Sequence, residues 1–380
     1  MAPDTEEALA EAILSAESPI SIAGGGTRGV HVEGTPLSTA NLKGISLYEP
    51  GALTIVVQAG TPLSDVEDAL AAEKQRLAFE PTDYRSLLKT TGTPTIGGVL
   101  ATNASGPRRI QGGAARDYAL GVRFVDGSGK VVKNGGRVMK NVTGYDLVKL
   151  MCGAYGTLGV LSEVSLKVLP VPETSGSLML RGLETPQAVN AMAAAMGSPF
   201  EVTGASHIPQ AEGGSSLTAL RLEGFEQSVN YRIEQLKTLL RDTGAEMNVA
   251  SSQPSEAFWA AVRVAEKFTI EDGDVWRVSC KPSDAPRLAS LAWDAQHFFD
   301  WGGGMIWLLT PAGTDLRAQL GAFDGHATLV RATSETFARL GRFHPETAGV
   351  ARLSAGLRTR FDPQGILNTG LMDPVISECV

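Results

Sequence analysis

At 380 residues the chain exceeds the usual size of one hydrophobic core, and its 43% hydrophobic content can fill two. A formal charge of −8 disfavours nonspecific nucleic-acid binding and requires any anionic substrate to be held by locally placed arginines in a pocket. No apolar run approaches the roughly twenty residues needed to span a bilayer, and the start of the chain lacks the basic, apolar and small-residue order of a secretory signal, so a cytoplasmic location is expected.

In chain order, Glu6–Leu14 is expected to form a helix, and Ile20–Ala23 a strand running into a triple-glycine turn. Residues 53–58 read as another strand, ending at Ala59-Gly60. Thr61 is a suitable N-cap and Pro62 a suitable first residue for a helix in which Leu63, Val66 and Leu70 share a face as far as Ala72. This opening part is α/β. Residues 120–125 and 130–132 flank Asp126-Gly127-Ser128-Gly129, a hairpin signal, and Val164, Leu166 and Val168 alternate in a strand closed by Pro170 and Pro172. Antiparallel sheet is expected there. Residues 170–176, with two prolines and small polar residues where the strand pattern stops, mark a domain boundary. Beyond it, candidate strands at 177–180, 217–222, 275–280, 305–309 and 328–331 alternate with helical stretches, which suggests a sheet covered by helices. In one such helix Val229, Ile233, Leu236 and Leu240 share a face and Gly244 supplies the stop. Residues 348–360 read as a last helix, and 361–368 as a turn-rich tail.

Two segments carry chemistry. Thr95-Ile-Gly-Gly-Val-Leu-Ala-Thr-Asn-Ala-Ser-Gly106 joins small residues and hydroxyls into a surface that phosphate oxygens can approach, with Thr95, Thr102, Asn103 and Ser105 as donors and glycines 97 and 98 leaving room for a ligand. Upstream, Ala23-Gly-Gly-Gly-Thr-Arg-Gly29 offers a second anion-binding turn, and two cradles suit a dinucleotide. The contiguous glycines and the helix-poor segment after them exclude a Rossmann crossover, so loops are expected to hold the cofactor. Cys152, Cys280 and Cys379 are too far apart for a Cys-x-x-Cys pair, and any iron–sulfur cluster must come from a partner. Cys152 reads as a small buried hydrophobe, a catalytic thiol being the alternative.

The ordered set Ile22-Ala-Gly-Gly-Gly-Thr27, residues 54–60, Pro94 through Gly106, Val122-Arg-Phe-Val-Asp-Gly127 and Gly156-Thr-Leu-Gly-Val-Leu161 resembles the para-cresol methylhydroxylase / vanillyl-alcohol oxidase type of FAD-binding domain. Lys140-Asn-Val-Thr-Gly-Tyr-Asp-Leu147 and Phe361-Asp-Pro-Gln-Gly-Ile-Leu-Asn368 look like its 2-hydroxy-acid dehydrogenase branch. Arg108-Arg109 and Trp276-Arg-Val-Ser279 look, more narrowly, like the FAD-binding subunits of bacterial glycolate oxidase. The resemblance implies an α+β fold in three parts. Residues 1–172 would be a two-subdomain FAD-binding domain, 173–340 a shortened α+β cap, and 341–380 a helix and tail packing back on the FAD domain.

It assigns Gly24, Gly25, Gly26 and Thr27 to a pyrophosphate loop, and Thr95, Gly97, Gly98, Thr102, Ser105 and Gly106 to a second wall. Gly156, Thr157, Leu158, Gly159 and Val160 would lie beside the flavin, with Asn368 as a late contact near its ring. Covalent members attach FAD through a histidine in the first glycine loop, where this chain has Thr27 and Arg28, so noncovalent FAD is expected. His31, just past the loop, is expected to take a surface or hydrogen-bonding role. Arg108 and Arg109 would neutralise the pyrophosphate or hold an acidic neighbouring subunit, a solvated pair being the plain alternative.

Oxidising a 2-hydroxy acid needs a base for the hydroxyl proton and cations for the carboxylate. His326 is the candidate base, with Arg277 and Arg331 as carboxylate clamps; a turn-bonding histidine and arginines paired within the cap are the alternatives. The His-x-Gly-Asp-Gly-Asn-x-His stretch of metal-using relatives is missing and the histidines are scattered, so no metal site is expected. Three readings follow. The subunit oxidises glycolate itself and passes electrons to an iron–sulfur partner, or it relays electrons or serves a structural role while a larger homologous flavoprotein oxidises the substrate. The third is an NADPH-dependent reductase like the UDP-N-acetylenolpyruvylglucosamine reductase relatives, against which the Lys140–Leu147 motif weighs. Expected partners are the larger FAD subunit, an iron–sulfur subunit and a small 2-hydroxy acid. No nucleic acid is expected, and membrane contact, at the inner face, only through those partners.

Overall fold

The structure, a computed structural model, describes residues 1–137, 144–211 and 213–373. Residues 140–143 of the Lys140–Leu147 motif, and Cys379, lie outside the described residues. The chain divides into two compact units. The first comprises Met1–Ser105, Gly113–Val171 and the described part of Pro345–Val380; the second comprises Gly106–Gly112 and Pro172–His344.

In the first unit a short parallel pair, Ile20–Ala23 with Thr35–Ser38, is extended by a bridge from Ile20 to Leu367 near the end of the chain. The helix Glu6–Leu14 is capped by Thr5, whose hydroxyl accepts from the Ala8 amide at 3.1 Å, and it buries Leu9 and Ile13 against this pair. The larger sheet runs in the order Ile45–Glu49, Thr54–Gln58, Val160–Lys167, Ala119–Val125, Val131–Gly135, all antiparallel. Its central strands read as alternating or continuous apolar runs, and Ile55, Val57, Val164 and Leu166 are fully buried. At the Asp126 hairpin one carboxylate oxygen accepts from the amides of Ser128 and Lys130 and from the Ser128 hydroxyl, which fixes the turn.

The second unit is built on an antiparallel sheet in the order Glu246–Ser251, Thr174–Arg181, Leu217–Gly224, Gly204–Ile208, Gln296–Asp300, Met305–Thr310, Asp274–Cys280, Gly325–Arg331. Thr185–Met196 and Glu226–Leu240 cover one half of it, and Ala285–Leu291, Leu316–Leu320 and Ser334–Leu340 the other. Glu226–Leu240 buries Val229, Ile233, Leu236 and Leu240, and Gly244 is left-handed at φ 71°. The fold class is α+β.

Some elements differ from expectation. The helix Leu63–Ala72 begins one residue later, because the Thr61 hydroxyl is bound to the carbonyls of Gln58 and Gly44 rather than to the first helical turn. The proline segment is shorter than a linker: Leu169–Pro170 pairs with Gln75–Arg76, and the next strand opens at Thr174. Among the described residues no helix is long and apolar enough to cross a membrane.

Candidate functional site

Within the first unit one cleft gathers both glycine segments. It is lined by Gly24, Gly25, Gly26, Thr27 and Arg28, by Thr95, Gly97, Gly98 and Thr102, by Gly156, Gly159 and Val160, and by Asn368. The parallel strand pair delivers the first segment at its carboxyl end, and the helix Ile96–Ala101 carries the second.

The two segments differ in what they offer an anion. In the second, the Ile96 amide donates to the Thr61 carbonyl, the Gly97 amide to the Ala59 carbonyl at 2.8 Å and the Gly98 amide to the Thr95 hydroxyl. The Thr102 hydroxyl donates back to the Gly98 carbonyl at 2.8 Å. A Cβ on Gly97 would stand 2.7 Å from Ala59, so close packing of helix on strand already requires a glycine here. In the first segment none of the described residues accepts from the amides of residues 25–28. Gly26 is left-handed at φ 70°, and successive amides around such a residue form an anion-binding concavity.

Arg28 completes that cradle. Its Nη1 donates to the Thr82 carbonyl at 2.8 Å and its guanidinium lies 6.0 Å from the Tyr84 ring centre. Nε and Nη2 are shielded from solvent and have no partner among the described residues. Burial pushes its pKa below the usual arginine range, partly offset by Tyr84, Tyr155 and Asp83. A sequestered cation with two unmet donors, beside a run of unmet amides, fits the pyrophosphate of a dinucleotide. Arg28 was not among the residues assigned to the cofactor from sequence, although a lone arginine inside a glycine-rich anion turn is a signal for it.

The opposite wall is held by two residues in left-handed backbone, Tyr155 at φ 53° and Asn368 at φ 42°. Asn368 is buried; its Oδ1 accepts from the Ile22 amide at 2.7 Å and its Nδ2 donates to the Tyr155 carbonyl at 2.8 Å. One side chain thus ties the tail, the first strand and the Tyr155-Gly156 turn together, and strained backbone of this kind persists only where its surroundings fix it.

Five residues expected at the cofactor do not line the cleft. The Ser105 hydroxyl is engaged by the Asn103 carbonyl and the Ala115 amide. Thr157 donates to the Ala154 carbonyl and Leu158 sits in the core. Gly106 and Arg108 belong to the second unit, where the Gly106 carbonyl accepts from the Trp301 indole at 3.2 Å. Arg108 makes a two-pronged, partly buried ion pair with Glu223, with Nε to Oε2 at 2.6 Å, so its fork is filled by the chain's own carboxylate. Arg109 stacks over Trp301 at 4.7 Å in the same unit. Cys152 is buried, and burial drives its thiol up to about 12, which makes it a core residue and not a nucleophile.

The second unit brings two of the three expected substrate residues together. Gly325–Arg331 pairs with Asp274–Cys280 so that Ser279 faces His326 and Arg277 faces Thr328. Desolvation of the ring and the charges of Arg277, His344 and Arg109 hold the His326 pKa below the ordinary histidine value. Arg331 is at the other end of that strand, where its guanidinium donates to the carbonyls of Phe268 and Glu271 at 2.8 and 2.7 Å.

Residues 1–135 match the FAD binding domain family. The glycolate oxidase subunit GlcE of Escherichia coli is 35% identical to the chain, over 97% of each. The glycolate oxidase subunit GlcD of Bacillus subtilis is 36% identical over 33% of this chain and 26% of its own. The solved structure of 4-ethylphenol oxidase from Gulosibacter chungangensis shares the fold at a TM-score of 0.71 and 13% identity, covering 98% of this chain and 88% of its own. With GlcE matched from end to end and the anion cradle lying inside the matched domain, the chain belongs to the GlcE family of FAD-dependent oxidoreductase subunits, and FAD is its cofactor.

Proposed function

We propose that the chain is the FAD-binding subunit of a multi-subunit glycolate oxidase that converts glycolate to glyoxylate. The reading rests on the end-to-end likeness to GlcE, and the unmet donors of the glycine turn support noncovalent retention of FAD. The cleft residues given above hold the cofactor, with Arg28 and the amides of residues 25–28 at its pyrophosphate. FAD held there would supply the acceptor for the hydride of the α-carbon. His326, whose lowered pKa keeps it neutral near pH 7, takes the hydroxyl proton, and Arg277 pairs with the carboxylate. Arg331 acts at a remove, by fixing the far end of the strand that carries His326. An iron–sulfur subunit receives the electrons, a larger homologous FAD subunit completes the complex, and both work in the cytoplasm with any membrane contact made by the partners.

The test is anaerobic addition of glycolate to the FAD-loaded chain, alone and assembled. Bleaching of the isolated flavin is the expected result, abolished in Arg277→Met with flavin content unchanged. Bleaching only in the assembled complex assigns oxidation to the partner flavoprotein, and bleaching by NADPH without glycolate overturns the reading altogether.

A further inference from the structure

A second cavity, of about 670 Å³, opens in the second unit, within the range of about 300–1,000 Å³ typical of small-molecule sites. Ile208, Leu217, Phe258, Val262, Ile270 and Phe298 give it an apolar wall. Into this wall the fold sets two cations, Arg181 and Lys267.

Lys267 gets there through a backbone device. Ala265 is left-handed at φ 52° and breaks the helix Ser252–Arg263, so the next turn, Glu266–Phe268, buries Phe268 completely and brings Lys267 to the cavity. Among the described residues its ammonium reaches only the Gln210 carbonyl, at a long 3.4 Å, and burial lowers its pKa. Arg181 has no partner among the described residues; its cross-strand neighbour Glu246 accepts from Asn248 instead. Glu266 is the single acid among the described lining residues, and it is exposed. Two half-buried cations with no acidic partner among the described residues, set on an apolar surface, are complementary to one kind of small molecule, which supplies a negative head and a hydrocarbon body.

We propose that this cavity binds a monocarboxylate with an apolar body, its head held by Lys267 and Arg181 and its hydrocarbon against Phe258 and Phe298. A two-carbon acid would leave most of the volume empty, so this site is distinct from the oxidation of glycolate and stands or falls independently of it.

The experiment is calorimetric titration of the FAD-loaded chain with decanoate, decanol and glycolate. Decanoate should bind one per chain and at least about tenfold more tightly than decanol, the value of one charge-assisted hydrogen bond. Lys267→Met and Arg181→Leu should each erase about that tenfold preference by weakening decanoate alone. Ala261→Trp, which fills the cavity, should abolish binding of both, and an unchanged circular dichroism spectrum and urea unfolding curve report that each variant is folded. Absence of decanoate binding, equal affinity for decanoate and decanol, or unchanged decanoate affinity in both charge variants would overturn the assignment.

Discussion

Arg28→Met separates a cofactor ligand from a structural arginine. Methionine keeps most of the side chain's length and removes its charge and donors. In the apoprotein the change breaks one hydrogen bond, Nη1 to the Thr82 carbonyl, and a distant contact with the Tyr84 ring, while Nε and Nη2 have no hydrogen bond to lose among the described residues. A hydrogen bond of this kind is worth about 1 kcal/mol, and release of a desolvated charge offsets it, so apoprotein stability should move by less than about 1 kcal/mol. The loaded protein loses at least one charge-assisted bond worth about 1.5–3 kcal/mol, which raises the Kd for FAD by a factor of about 10 to 150. Flavin-fluorescence quenching on apoprotein gives the Kd, and urea unfolding of the same apoprotein gives the stability. Arg28→Lys should recover part of the affinity, since it restores charge without the fork. A Kd within twofold of the original, or an apoprotein weakened by about 3 kcal/mol, would show that Arg28 props the loop and does not bind the cofactor.

Two further outcomes can be checked. Asn368→Asp keeps the acceptor for the Ile22 amide but turns a carboxylate oxygen on the Tyr155 carbonyl, and should cost about 2 kcal/mol and speed hydrogen exchange at the Asn368 amide, which donates to the Ile20 carbonyl. Unchanged exchange there would remove Asn368 from its clamping role. His207 is fully buried, and burial with a lesser contribution from His297 lowers its pKa to about 4. An unfolded histidine protonates near about 6.5, so the unfolded state binds more protons between these values. The stability His207 contributes is complete above about pH 6.5 and falls by about 3 kcal/mol as pH drops through about 4. Urea unfolding from pH 7 to 4.5 should show this slope, and His207→Asn should flatten it; equal slopes in both proteins would refute the assignment.

The glycine turns were legible because their composition has few other uses, and the cleft they form holds most of the residues assigned to it. What lay beyond the sequence was which donors the protein itself consumes. Thr102 and Ser105 look like phosphate donors in a string of letters, but the first bonds back to its own helix and the second donates to Asn103 two residues back while accepting from the Ala115 amide. Arg108 finds Glu223 across 115 positions, a pairing no local pattern announces. Edge and short strands such as Thr35–Ser38 and Glu246–Ser251 carry little alternation because few of their residues are buried, and only the neighbouring strand defines them. The facing of Arg277 and Thr328, two residues from His326, was likewise set by sheet register rather than by either sequence segment.

Because the first unit contains residues from both ends of the chain, Ile20 waits for Leu367 and Ile22 for Asn368 before that side of the cleft is complete. These partners are separated in sequence by the whole of Pro172–His344, so a long loop must close before they meet. Flavin capture is therefore coupled to the docking of this late segment on the first strand, and loss of the Leu367 and Asn368 contacts should produce colourless protein despite an intact glycine turn.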